Sequence, residues 1–180
     1  MVYCFLADGF EELEAIAPID MLKRAGVEVI TVGVTGKTVT GAHNIPVIAD
    51  IVADEVVLNS SLEAVILPGG MPGALNLENS EAVQNAIYFA AENEKYVCAI
   101  CAAPQILGHK CLLKGRNAIA YPGFEKELEG ANISEDYVVC DGKFITAKGA
   151  GVAVEFGLEI VCALKGRETA EAIHSQIQAK

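Results

Sequence analysis

The chain has 180 residues, 52% of them hydrophobic, with 13 Lys and Arg against 24 Asp and Glu, for a net charge of -11 at pH 7. That length suits one domain, residues 1–180, with a sizeable core, and acidity spread along the chain without a basic cluster argues against a nucleic-acid partner. No apolar run approaches the roughly 18 or more residues that mark a membrane span, and residues 1–8 read as a core strand instead of a leader, so a cytoplasmic protein is expected.

In chain order, residues 2–7 predict a buried strand. Residues 11–25 predict a helix, with Leu13, Ile16, Ile19, Leu22 and Ala25 near helical spacing and Pro18 as a bend. Residues 27–34 predict a second strand, and 37–50 a hairpin or irregular extended segment punctuated by Gly36 and Gly41. A strand follows at 62–67, ended by Pro68-Gly69-Gly70. Residues 80–93 predict a helix capped by Ser80, 96–100 a strand, and 102–108 a short helix. A short strand is expected at 117–121 and a hairpin at 137–140 and 144–147, around the turn pair Asp141-Gly142. Two helices at 152–164 and 168–177, separated by Gly166, complete the pattern.

Strands that are apolar on both faces and alternate with helices specify a parallel sheet covered on each side. The expected fold is an α/β three-layer sandwich, doubly wound. In such sheets the reactive crevice lies at the carboxyl ends of the strands. Three loops reach that edge: residues 8–14, 68–73 and 101–104.

The sharpest chemistry lies at Cys101. An apolar strand runs straight into Cys101-Ala102-Ala103-Pro104, where small residues permit a tight turn and proline suits a first helical turn. This is the layout of a nucleophile elbow. Free amides at a helix start favour a thiolate, so the thiol pKa is expected to fall. Cys4, Cys98, Cys140 and Cys162 lie in apolar runs and read as reduced, buried small hydrophobes. Cys98 and Cys101 form a C-x-x-C, but Cys98 sits within the strand, which argues against a redox pair, and no second ligand pair is spaced for zinc.

Candidate partners come from the other two loops. Asp8-Gly9-Phe10-Glu11 has the spacing of a capping box, whereas Glu14, flanked by Leu13, Ala15 and Ile16, can point inward as a half-buried acid. The amides of Gly70 and Ala102 can form an oxyanion hole. Of the three histidines, His43 lies in a flexible stretch that can reach the crevice, while His109 and His174 read as structural or surface residues.

Asp8-Gly9-Phe10-Glu11-Glu12-Leu13-Glu14, Leu67-Pro68-Gly69-Gly70, Ala99-Ile100-Cys101-Ala102-Ala103-Pro104 and Lys148-Gly149-Ala150-Gly151 together resemble the ThiJ/PfpI superfamily, in its DJ-one/YajL-like branch. Glu155-Phe156-Gly157-Leu158 and Gly166-Arg167 fit as well, so the resemblance runs over nearly the whole chain. It implies a flavodoxin-like fold and a homodimer, for which the 11–25 helix is a candidate interface. It also implies an oxidation-sensitive nucleophile at Cys101, a protonated carboxyl at Glu14 and oxyanion amides at Gly70 and Ala102. Tyr121, His43 and Gly69 become candidates for substrate binding. The activities implied need no cofactor and no metal: conversion of small aldehydes (glyoxalase), deglycation of glycated substrates, or redox-regulated chaperone action on client proteins. Tyr121 stands before Pro122 where the branch often has histidine, which points away from fast turnover. His43 and Lys148 stand where some relatives carry arginine. Ala102 follows the cysteine where the protease branch has histidine, which argues against an intracellular protease.

Overall fold

The computed structural model describes residues 1–179, and residue 180, the last of the predicted domain, lies outside them. The strands are β1 (Val2–Leu6), β2 (Val29–Gly33), β3 (Thr38–Thr40), β4 (Pro46–Ile48), β5 (Ile51–Val52), β6 (Ala64–Leu67), β7 (Tyr96–Ile100), β8 (Asn117–Ala118), β9 (Asn132–Ile133), β10 (Val138–Asp141) and β11 (Phe144–Ala147). The α-helices are α1 (Glu12–Arg24), α2 (Gly73–Glu78), α3 (Glu81–Glu92), α4 (Pro104–His109), α5 (Ala153–Lys165) and α6 (Arg167–Gln176).

Seven strands form the main sheet in the order β10-β11-β7-β6-β1-β2-β5, parallel throughout except for β10. The pleat divides β1 between two cores. Val2, Cys4 and Leu6 pack with α1, α5 and α6 on one face; Tyr3 and Phe5 pack with α2, α3 and α4 on the other. This is the expected three-layer α/β sandwich. From β1 the chain first builds outward through β2 to β5, then returns to lay β6 on the other flank of β1. That reversal opens the crevice between the carboxyl ends of β1 and β6. β7 lies next to β6, so the three loops singled out in the sequence converge at this one point.

Several local expectations change. Helix α1 holds Pro18 within its length, as expected, and buries it against α5. Proline there removes the helical donor for the Glu14 carbonyl. Gly157 makes the approach possible, because an added Cβ would lie 2.7 Å from the Pro18 Cα. The N-cap moves: Glu11, not Asp8, caps the helix, accepting from the Glu14 N–H at 2.9 Å, and no capping box closes because the Glu11 N–H donates to the Gly69 carbonyl. The Asp8 carboxylate instead accepts from the Thr40 N–H at 2.8 Å and ties β3 to the first loop. Ser80 precedes α3 but makes no side-chain cap bond. Residues 37–50 resolve into the β3–β4 hairpin, a separate two-stranded sheet. The short helix starts at Pro104, two residues later than expected, and the 117–121 strand shrinks to β8, which pairs with β9. Contrary to the reading of both as core residues, Cys140 is exposed, because the edge strand β10 turns alternate side chains outward, and Cys162 is half-buried on α5.

Candidate active site

Cys101 is the first residue after β7, and its φ is +65°. A non-glycine residue holds such a left-handed conformation at a cost of about 1–3 kcal/mol, and only where its surroundings over-determine it. They do so here. The Cys101 N–H donates to the Ala147 carbonyl at 2.9 Å, and its carbonyl accepts from the Tyr121 N–H at 2.8 Å. Both neighbouring segments therefore fix the elbow that the sequence suggested.

Glu14 comes to the same point from α1 and is 1% exposed. Its Oε2 accepts from the Gly69 N–H at 2.9 Å, while Oε1 has no hydrogen-bond partner among the described residues. Gly69 separates acid and cysteine: an added Cβ would lie 2.7 Å from both the Cys101 Cβ and Glu14 Oε2. Gly70 has φ +84°, and a Cβ there would meet the Glu11 nitrogen and the Gly9 oxygen at 2.5 Å. The loops after β1 and β6 thus lie backbone against backbone, joined by the Glu11 N–H to the Gly69 carbonyl at 3.0 Å.

Burial pushes the Glu14 carboxyl up from 4.5 to about 7. The adjacent Cys101 thiol and the Gly69 and Ala150 amides oppose that rise, and the Glu11 carboxylate adds to it. The expected fall of the Cys101 thiol is reversed. Burial first, then the Glu14 carboxylate, push it up to about 12, while the amides of Gly70 and Ala102 pull it down. The physical reason is that α4 has only six residues and starts three positions after the cysteine, so its dipole is outweighed by burial and by a facing charge. The two groups titrate as a pair. An ionised Glu14 keeps the proton on sulfur; a protonated Glu14 removes the repulsion and offers the thiolate a donor. Cys98 is wholly buried and pushed well above its ordinary value, so the C-x-x-C holds one accessible sulfur.

The remaining candidates separate. His43 is 69% exposed, and its Nδ1 lies 2.7 Å from Glu12 Oε2 while its N–H donates to Glu12 Oε1 at 2.7 Å. It makes no hydrogen bond to Cys101 or Glu14 among the described residues. Burial alone would raise Glu12, but the His43 ring and amide bring it below its ordinary value. Glu11, Glu12 and His43 place ligand-type atoms within 4.8 Å of one another, close enough to share a metal ion. Tyr121 lines a cavity of about 400 Å³ with Pro122, Tyr137, Lys148 and residues 149–152. Lys148 Nζ stands 4.9 Å from the centre of the Tyr137 ring. The sequence reading did not single out Tyr137; the turn-and-strand pattern around it gave no sign that its ring faces Lys148.

The DJ-1/PfpI family model matches residues 1–163. The chain belongs to the DJ-1/PfpI family. Among relatives, the Parkinson disease protein 7 homolog of Danio rerio is 32% identical over 179 residues, covering 97% of this chain and 95% of that protein. A protein of Pyrococcus abyssi named a deglycase is 33% identical over 161 residues, or 88% of this chain and 96% of that one. Protein DJ-1 homolog B of Arabidopsis thaliana is 38% identical over 91% of this chain, which spans only 37% of that relative's length. In structure the chain is similar to oxidized DJ-1 of Toxoplasma gondii, with a TM-score of 0.93, 33% identity, and 98% and 97% of the two chains covered. The DJ-1/PfpI match covers all three site loops and stops before α6. Within this DJ-1/PfpI chain, Cys101, Glu14, Gly69, Gly70 and Ala102 lie together as one contiguous candidate site. Tyr121 borders it through its backbone, and His43 is held to one side by Glu12.

Proposed function

We propose that the chain converts small reactive aldehydes without a cofactor, in the glyoxalase or deglycase manner, with Cys101 as nucleophile and Glu14 as acid and base. The observation that carries this reading is the Glu14 carboxyl set against Cys101 across a glycine and pushed up to about 7, near the pH at which it can both give and take a proton. For methylglyoxal the Cys101 sulfur adds to the aldehyde carbon, and its proton passes through Glu14 to the new alkoxide. The Gly70 and Ala102 amides face the developing negative charge. Glu14 then takes the C1 hydrogen as a proton and returns it to C2, while the C1 hydroxyl proton passes to the C2 oxygen, leaving a lactoyl thioester on Cys101. Water cleaves the thioester, releases lactate and restores the thiol, so one aldehyde and one water make one lactate. A glycated hemithioacetal or aminocarbinol enters the same route once it releases its thiol or amine and regenerates the aldehyde, to which Cys101 then adds. In the Cys101→Ser variant, lactate formation should fall to the uncatalysed background, by about 10³-fold or more; equal rates in wild type and variant would remove the mechanism.

A second reading, redox sensing coupled to chaperone action, is favoured by the unpartnered Oε1 of the Glu14 carboxyl that acts on the Cys101 thiol. One peroxide converts the thiolate to sulfenate and water, and a second gives the sulfinate. A protonated Glu14 can donate to that product. Under limiting peroxide, mass spectrometry should find two added oxygens on Cys101 before any on exposed Cys140. Equal oxidation of the two discards this reading.

A further inference from the structure

His109 read as a surface residue at the end of a short helix, but the structure gives it a junction role. Three chain segments start at the site and end at this ring. The first leaves Gly69 and Gly70 and runs through α2 to Glu78. The second leaves Cys101 and Ala102 and runs through α4 to His109 itself. The third leaves Tyr121, whose N–H holds the Cys101 carbonyl, and ends in the 3-10 turn Glu125–Glu127. His109 Nδ1 lies 2.5 Å from Glu78 Oε1, and Nε2 lies 3.2 Å from Glu127 Oε2. The backbones also meet, since an added Cβ on Gly108 would sit 2.1 Å from the Glu127 oxygen.

A neutral imidazole has one N–H donor, so it can satisfy only one of two carboxylates; both bonds require the imidazolium. We propose that the His109 imidazolium is a positioning clamp that holds the Gly70, Cys101 and Tyr121 segments in register, and that its loss of a proton loosens the site. α2 and α4 have six residues each, about 9 Å at 1.5 Å per residue, so each transmits a shift of its far end within two turns. The groups facing the ring are Glu78 from α2 and Glu127 from the 3-10 turn. Lys126 Nζ, 3.6 Å from Glu127 Oε1, competes for that carboxylate. Lys110 is turned away, 4.7 Å from the centre of the Tyr88 ring on α3. The Glu78 hydrogen bond, and less strongly that of Glu127, hold the ring above its ordinary 6.5, while burial opposes them. A raised folded value means the clamp is fully closed below pH 6.5 and opens as pH rises through the higher folded value.

This inference rests on the proposed chemistry only for its kinetic consequence; the clamp itself is read by hydrogen–deuterium exchange. At pH 6, His109→Gln should speed exchange of residues 69–78, 101–109 and 121–127 about tenfold and leave the β1 and β6 cores unchanged. At pH 9.5, wild type should approach the variant. His109→Arg, which keeps a cation with several donors, should restore wild-type exchange at pH 6 and hold it at pH 9.5. Glu78→Gln and Glu127→Gln should each loosen mainly the segment that loses its arm. Unchanged exchange in His109→Gln, a uniform rise over the whole chain, or an His109 ring that titrates below 6.5 by NMR each overturn the clamp. Absence of aldehyde turnover in wild type counts against the proposed function alone, because none of these readouts uses it.

Discussion

Glu14→Gln is expected to lower aldehyde turnover by about 10²-fold or more and, in the same variant, to stabilise the fold above neutral pH. The activity loss follows because glutamine can neither accept the C1 proton nor return it. The stability gain follows from linkage. The Glu14 carboxyl is pushed up from 4.5 to about 7 by burial. A raised folded value favours the folded protein fully below pH 4.5, and that contribution is lost as pH rises through about 7. Across 2.5 units at 1.36 kcal/mol each, the buried carboxylate costs on the order of 3 kcal/mol at pH 8. Glutamine has no such ionisation. Denaturant unfolding should therefore show the variant gaining on wild type by about 1–3 kcal/mol between pH 5 and 8, then remaining level. Full turnover in the variant contradicts the catalytic role; a variant less stable than wild type at pH 8 contradicts the buried-acid account.

Gly69→Ala should disable the same site by geometry instead of charge. The new methyl would lie 2.7 Å from the Cys101 Cβ, 2.7 Å from Glu14 Oε2 and 2.8 Å from the Ile100 oxygen. Overpacking of this kind costs about 1–3 kcal/mol. The Glu14 side chain is the more movable of the three neighbours, so relief comes by displacing the acid from the cysteine. Turnover should fall by about 10²-fold, while alkylation of Cys101 by iodoacetamide persists. Gly151→Ala is the matched control, since an added Cβ there meets nothing within 4 Å; its stability should stay within about 0.5 kcal/mol of wild type. Equal behaviour of the two variants would show that Gly69 is not the spacer between acid and thiol.

Much of the fold was legible because the core strands are short, continuous apolar runs, as at Val65-Ile66-Leu67 and Val97-Cys98-Ala99-Ile100. Helix α2 was not, since Gly69-Gly70-Met71-Pro72-Gly73 reads as pure punctuation and only the packing of Ala74 and Leu77 reveals a helix there. The two-residue strands β5 and β9 are too short to show any period. At the site, Glu14 was legible from its apolar flanks, and Cys101 from the strand that delivers it. The +65° φ at Cys101 has no sequence signature, being imposed by Ala147 and Tyr121 from distant parts of the chain. The partners of His43 and His109 were hidden for the same reason: they lie 31 residues away in each case for the shortest contact. Helix-start electrostatics misjudged the thiol because burial and a facing carboxylate are tertiary facts.

The close approach of Gly157 to Pro18 has a wider consequence. Glu14 rides one turn before Pro18 on α1, so its place beside Gly69 and Cys101 is set from behind by α5, whose residues are none of those named at the site. Selection on the chemistry therefore reaches through the helix pair. A genetic screen for partial loss of function should recover lesions on α5, at Gly157 above all, in proteins that remain folded and carry every reactive residue intact.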